Sequence, residues 1–227
     1  MKHLKNIFFG ISLIIFQFNS NGQDFHKKNT FSLNGIWEII FDDNNQGIGN
    51  DWYLDENFGK QNFQTIAVPS CWEETKKDYE GVGIYRTKFT IPKDWSDKII
   101  QLNFEASNYK TEIWINDQVV GFHEGGYTPF SFRIDKLIKS GEQNTLVVRV
   151  VSPIILTDKY IDGLGRQEVP MWRGAITGGI WQSVSIEAKG SLGVKDVFIE
   201  PNINTNTSIF NIEIENTKTN VEKSELI

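Results

Sequence analysis

A two-residue period in hydrophobicity constrains this chain more than any other feature. In "IYRTKFTIP" (residues 84–92), Tyr85, Thr87, Phe89 and Ile91 share one face, and Arg86, Lys88 and Thr90 share the other. A helix cannot bury such a stripe, because its same-face neighbours recur every three to four residues. A strand can, with one face on a core and the other toward solvent. The same grouping unites Ile100, Leu102 and Phe104 in "KIIQLNF", and Leu146, Val148 and Val150 in "TLVVRVV". "GIWEIIF" (35–41) and "FQTIAVPS" (63–70) add further β-rich runs. "TEIWINDQVVGF" reads as a hairpin, since Asn116 and Asp117 tolerate the left-handed backbone of a two-residue turn. Only "IDKLIKSGEQN" (134–144) suggests a short helical turn, before Gly141. Many short strands between polar turns give an all-β sandwich or barrel.

The two ends read differently. Lys2 and Lys5 precede the apolar run "IFFGISLIIF" (7–16), and Ser20 and Gly22 place small residues before a cut at Gln23. Residues 1–22 are therefore expected to be a secretory signal peptide, directing the chain to the periplasm or the outside of the cell. The run is shorter than the roughly 20 residues that span a bilayer, so no stable membrane anchor is expected. Residues 23–190 make the main β-domain. At "AKGSLGV" (188–194) the composition turns small and flexible, and two more strands follow, "KDVFIEP" and "SIFNIEIEN". Two strands cannot form a sandwich of their own, so residues 191–227 read as the incomplete start of a second β-domain.

Several chemistries find no support. With 29 acidic against 23 basic residues, the net charge of −6 disfavours a nucleic-acid partner. One cysteine, Cys71, and three histidines, one of them in the leader, give neither a disulfide nor a zinc site, and no cofactor or metal is expected. The pattern G-x-S-x-G is missing, and so is any glycine loop for phosphate. His123 and Glu124 are adjacent, so on a strand they point apart. Gly125 and Gly126 then read as a sharp corner, with Phe130 and Phe132 facing the core beyond Pro129. Trp37, Trp114 and Trp181 fall in strands and are expected in the core; Trp52, Trp72 and Trp95 fall in loops or at strand edges.

Carbohydrate is the partner the remaining residues suit. Glu73 and Glu74 look like solvated loop charges, whereas Asp78 and Glu80 lie on the run into a strand. "GRQEVPMWRG" (165–174) combines Glu168, Trp172 and Arg173 in one long loop. Carboxylate and guanidinium groups bind hydroxyls, and a flat indole takes the C–H face of a sugar. The same residues also suit a plug of the sandwich end flanked by solvated charges.

Six strings in register then identify a resemblance. They are "LNGIWEI", "VPSCWEE", "DYEGVGIYRTKFTIP", "NYKTEIWINDQVVGFHEGGYTPFSFRI", "NTLVVRV" and "GGIWQSVSIEA". Together they resemble the N-terminal sugar-binding domain of glycoside hydrolase family 2, which contains β-galactosidases, β-glucuronidases and β-mannosidases. The resemblance implies a galactose-binding-like jelly roll, followed from Lys189 by the first strands of an immunoglobulin-like sandwich. It also implies that the two catalytic glutamates of these retaining enzymes sit in a downstream β/α barrel, which nothing here matches, so no catalytic residue is expected in this chain. Asp78, Glu80, Glu168, Trp172 and Arg173 correspond to loops that border the family's substrate pocket. Two other readings stay open: a stand-alone carbohydrate-binding module, and a purely structural docking domain.

Overall fold

The computed structural model describes residues 29–165 and 177–217. It is almost entirely β. Six antiparallel strands form one sheet in the order β3 (Gln64–Val68), β2 (Gly35–Asp42), β4 (Val82–Thr90), β9 (Gln143–Val151), β6 (Lys110–Ile115) and β7 (Gln118–Glu124). Four more form a second sheet, in the order β1 (Thr30–Ser32), β10 (Val184–Lys189), β5 (Ile99–Phe104) and β8 (Phe130–Arg133). The one helix among the described residues with an α-helical turn, α1, is Asp55–Phe58.

The two sheets share one apolar layer. The six-stranded sheet contributes Trp37, Ile39, Tyr85, Phe89, Ile113 and Val148; the other contributes Ile100, Leu102, Phe104, Val184 and Ile186. These are the faces that the two-residue period defines. The expected hairpin is present: β6 and β7 are joined by Asn116 and Asp117, with φ of 49° and 66°. Their side chains find local work as well, Asn116 Nδ2 donating to Leu137 O and Asp117 Oδ1 accepting from the Asp55 N–H. The single turn after β8 is closed by an Ile138 N–H to Ile134 O bond.

The opposite face of the six-stranded sheet departs from the expectation of a solvated surface. Lys88 and Thr90 are exposed, but Arg86 is buried, and so is Arg149. A second apolar cluster covers this face: Ile40, Ile84, Val147 and Val151 lie under Phe58, Ile154, Ile161 and Leu164. The connection after β2 and the segment after β9 fold back onto the sheet. Arg86 lies 4.3 Å above the Phe58 ring and bonds Glu38 at 2.7 Å and Asp55 at 2.8 Å. Arg149 pairs with Glu112 and, at 2.6 Å, with Asp162. Buried guanidinium groups persist only when paired in this way. The signal was present in "TLVVRVV", whose second face carries Val147 and Val151 beside Arg149.

One end of the sandwich is plugged by Trp72, in a 3-10 turn (Trp72–Glu74) that follows the β3 strand. The indole is fully buried, stacks parallel to Tyr85 at 6.4 Å and meets Tyr79 edge-on at 5.4 Å. Gly83 and Gly178 lie directly against it, and a Cβ at either would land inside the ring. Trp37, Trp95 and Trp114 are buried too. Trp181 is not in a strand: it precedes β10, half-buried, and its Nε1 donates to Gly126 O at 2.8 Å.

Beyond β10 the chain forms a long hairpin of β11 (Leu192–Asn202) and β12 (Thr207–Asn216). Val197, Phe198, Ile199, Ile209 and Phe210 are exposed on it, and Arg133 reaches across to Glu215 at 3.3 Å.

The plug generates a direct test. Gly83→Ala forces a methyl into the Trp72 ring, so unfolding by denaturant should show a loss of about 1–3 kcal/mol. Adding Trp72→Phe, which removes part of that ring, should return some of the loss; strict additivity of the two would contradict the contact.

Candidate functional site

Of the residues singled out by sequence, the described ones, Asp78 and Glu80, lie on the run from the Trp72 turn into β4. Asp78 sits in the turn before β4 with φ of +53°, and its side chain is exposed. Glu80, two residues on, is almost completely buried at 3% exposure. Its carboxylate accepts from three successive backbone N–H groups: Ile155, Leu156 at 2.5 Å and Thr157 at 2.8 Å. The Thr157 hydroxyl adds a fourth bond at 2.8 Å. Glu80 therefore spends both oxygens as a latch on the segment that leaves β9. Gly81 strengthens it, its N–H bonding Ser152 Oγ at 2.9 Å and its carbonyl accepting the Ser152 N–H at 2.9 Å. Lys159 Nζ caps the Glu80 carbonyl at 2.8 Å.

A second latch holds the chain where it returns. Glu73 Oε1 accepts the Gly178 N–H at 2.7 Å. Asn108 exchanges backbone bonds with Gly179 at 2.9 and 3.1 Å, and its Nδ2 donates to Thr177 O. Glu73 is thus half-buried and bonded rather than a solvated loop charge, because the 3-10 turn that buries Trp72 aims the next side chain at residue 178; Glu74 stays exposed. Sequence reading missed Glu73 and Asn108. Their only local signal is position, next to Trp72 and at the entrance to β6. Glu168, Trp172 and Arg173 fall in sequence between Thr157 and Thr177 and lie outside the described residues.

The two carboxylates are tuned in opposite directions. Burial pushes the Glu73 carboxyl up, and the nearby Asp78 charge adds to this against the hydrogen bond from Gly178. For Glu80 burial also pushes upward, but the bonds from Leu156, Thr157 and Ile155 outweigh it and hold the carboxyl below its ordinary value.

His123 is on β7, its ring stacked on Phe130 at 4.1 Å and its Nε2 3.3 Å from Thr128 Oγ1. Burial lowers its pKa, against the Glu124 charge. Gly125 follows with φ of +144° where the chain passes from one sheet to the other, and Gly126 packs on the Asn108 side chain. Among the described residues, no three His, Cys, Asp or Glu side chains are grouped to hold a metal ion.

These shifts fix the sign of a pH test. The Glu80 carboxyl titrates below its unfolded value, so its stabilisation is complete above about pH 4.5 and is lost as pH falls through the depressed value. Glu80→Gln should flatten the acid limb of stability against pH. Glu73 titrates above its unfolded value, so its ionised form costs stability that returns as pH falls; Glu73→Gln should gain at neutral pH relative to acid. Denaturant midpoints at several pH values check both, and parallel profiles for all three proteins would contradict the assignment.

Comparison with known proteins gives the arrangement a family. Residues 75–189 match the model of the glycosyl hydrolases family 2 sugar binding domain. A β-galactosidase of Priestia megaterium is 24% identical over 200 residues, which cover 77% of this chain and 18% of that protein. A β-glucuronidase of Bacteroides fragilis is 28% identical over 143 residues, covering 60% of this chain and 18% of that one. The fold matches a β-glucuronidase structure from Ruminococcus gnavus with a TM-score of 0.65 at 22% identity, over 82% of this chain and 33% of that chain. The chain thus spans about a fifth of the length of such relatives. With its family model spanning half of the chain and strands β4 to β10, the chain belongs to glycosyl hydrolase family 2, through the sugar-binding domain.

Proposed function

We propose that these residues form the non-catalytic N-terminal part of an exported β-glycosidase, buttressing a catalytic barrel and walling its substrate pocket. The observation that carries this reading is the pair of latches. Two carboxylates, Glu80 and Glu73, hold Ile155–Thr157 and Gly178, which flank in sequence the stretch that contains Glu168, Trp172 and Arg173. The relatives named above as β-galactosidase and β-glucuronidase support a β-glycoside as substrate. In a retaining mechanism one carboxyl protonates the leaving oxygen while the other attacks the anomeric carbon. Glu80 cannot serve, since both its oxygens hold backbone, and Glu73 Oε1 is taken by the Gly178 N–H. The cleaving pair would come from polypeptide outside these 227 residues.

The exposed apolar side chains of the β11–β12 hairpin fit the start of a further β-domain, from residue 191 on. Export rests on the leader-like residues 1–22 and would be checked by N-terminal sequencing of secreted protein, expected to begin at Gln23.

The purified chain should release no nitrophenolate from nitrophenyl β-galactoside or β-glucuronide above the buffer rate. Steady, heat-sensitive release would contradict the proposal.

A further inference from the structure

We propose a saccharide site on the outer face of the six-stranded sheet across β3, β2 and β4. A depression of about 400 Å³ lies there, lined by Ile36, Glu38, Thr65, Arg86, Thr87 and Lys88. The register explains how it forms. Glu38 on β2 stands opposite Thr65 on one side and Arg86 on the other, so three polar side chains make one row across three strands. A volume of this size accepts one or two sugar rings; small-molecule sites run to roughly 300–1,000 Å³.

Charge balance argues against a strongly charged ligand. Arg86 Nε bonds Glu38 at 2.7 Å, Arg86 Nη1 bonds Asp55 at 2.8 Å, and Lys88 Nζ bonds the other Asp55 oxygen at 2.7 Å. Two cations and two carboxylates cancel, so neither an anion nor a metal cation meets an unmatched charge. What the groove offers is a fixed array of donors and acceptors, held by ion pairs before any ligand arrives. The side-chain hydroxyl of Thr65 and the second oxygen of Glu38 face a neutral polyhydroxyl ligand well. Apolar contact is at hand too: Ile36 is 70% exposed and Phe63 38% exposed. Phe63 is held in place under Arg86, 5.5 Å from its guanidinium carbon. Fixed hydroxyl partners beside an exposed apolar strip suit the two-sided character of a sugar ring. The choice of saccharide among neutral polar ligands rests on the carbohydrate reading given under Proposed function; the position of the groove does not.

The test is an amide-shift titration of the isotope-labelled chain with lactose and, separately, with sodium glucuronate. Lactose should shift the amides of residues 36–38, 65 and 86–88 with a dissociation constant in the millimolar range, and glucuronate should bind several-fold more weakly. Thr65→Trp fills the groove and Ile36→Asp removes its apolar side; both positions are exposed, so the fold is retained, and each should weaken lactose about tenfold. No shift in residues 36–38 and 86–88 at about 100 mM lactose overturns the site, as does equal binding by both variants. Shifts confined to residues 177–183 would also overturn it, while leaving the pocket-wall reading intact.

Discussion

The structure depends on one contact, the Trp72 indole held between Gly83 and Gly178. It is a van der Waals contact with no slack, because neither glycine leaves room for a methyl group. Gly83 belongs to a central strand and Gly178 to the chain returning toward β10. The ring therefore ties the six-stranded sheet to the segment that closes the domain. Interiors packed to crystal-like density transmit such constraints over several residues. Here the next residue, Glu73, is delivered to the Gly178 N–H. The neighbouring aromatic, Tyr79, lies against the same ring, and Glu80 follows it. One buried side chain thus sets the positions of both carboxylates that hold the loop ends.

Much of the fold was legible because its signals are local. Alternation in "IYRTKFTIP" and "KIIQLNF" records a face, and a face is a property of a strand alone. Asn116 and Asp117 recorded a turn through their tolerance of positive φ. The second apolar cluster was harder to read. Its cover comes from residues 43–62 and 152–165, and no local pattern says that a loop will return to a sheet. Arg86 and Arg149 looked solvent-facing for that reason, although Val147 and Val151 already hinted otherwise. Trp181 was misplaced by the β-rich letters around it; its indole N–H is spent on the Gly126 carbonyl, just before β10 begins.

The candidate site was legible in part. Position before a strand pointed to Asp78 and Glu80, and the structure brings them to the same end as Glu73. Their roles separate through long-range contacts only. Glu80 meets Ile155, Leu156 and Thr157, more than seventy residues away, and spends its charge on backbone. A buried carboxylate with four donors is a fastening; an exposed one such as Asp78 keeps its oxygens for solvent or ligand.

The central claim is that the loop ends are held by side-chain carboxylates. Hydrogen exchange at single amides tests it most directly, because Ile155, Leu156, Thr157 and Gly178 donate to glutamate oxygens rather than to a strand partner. The account requires these four amides to exchange as slowly as amides within β4 and β9. Exchange at the rate of exposed loop amides, with β4 and β9 still protected, would contradict it.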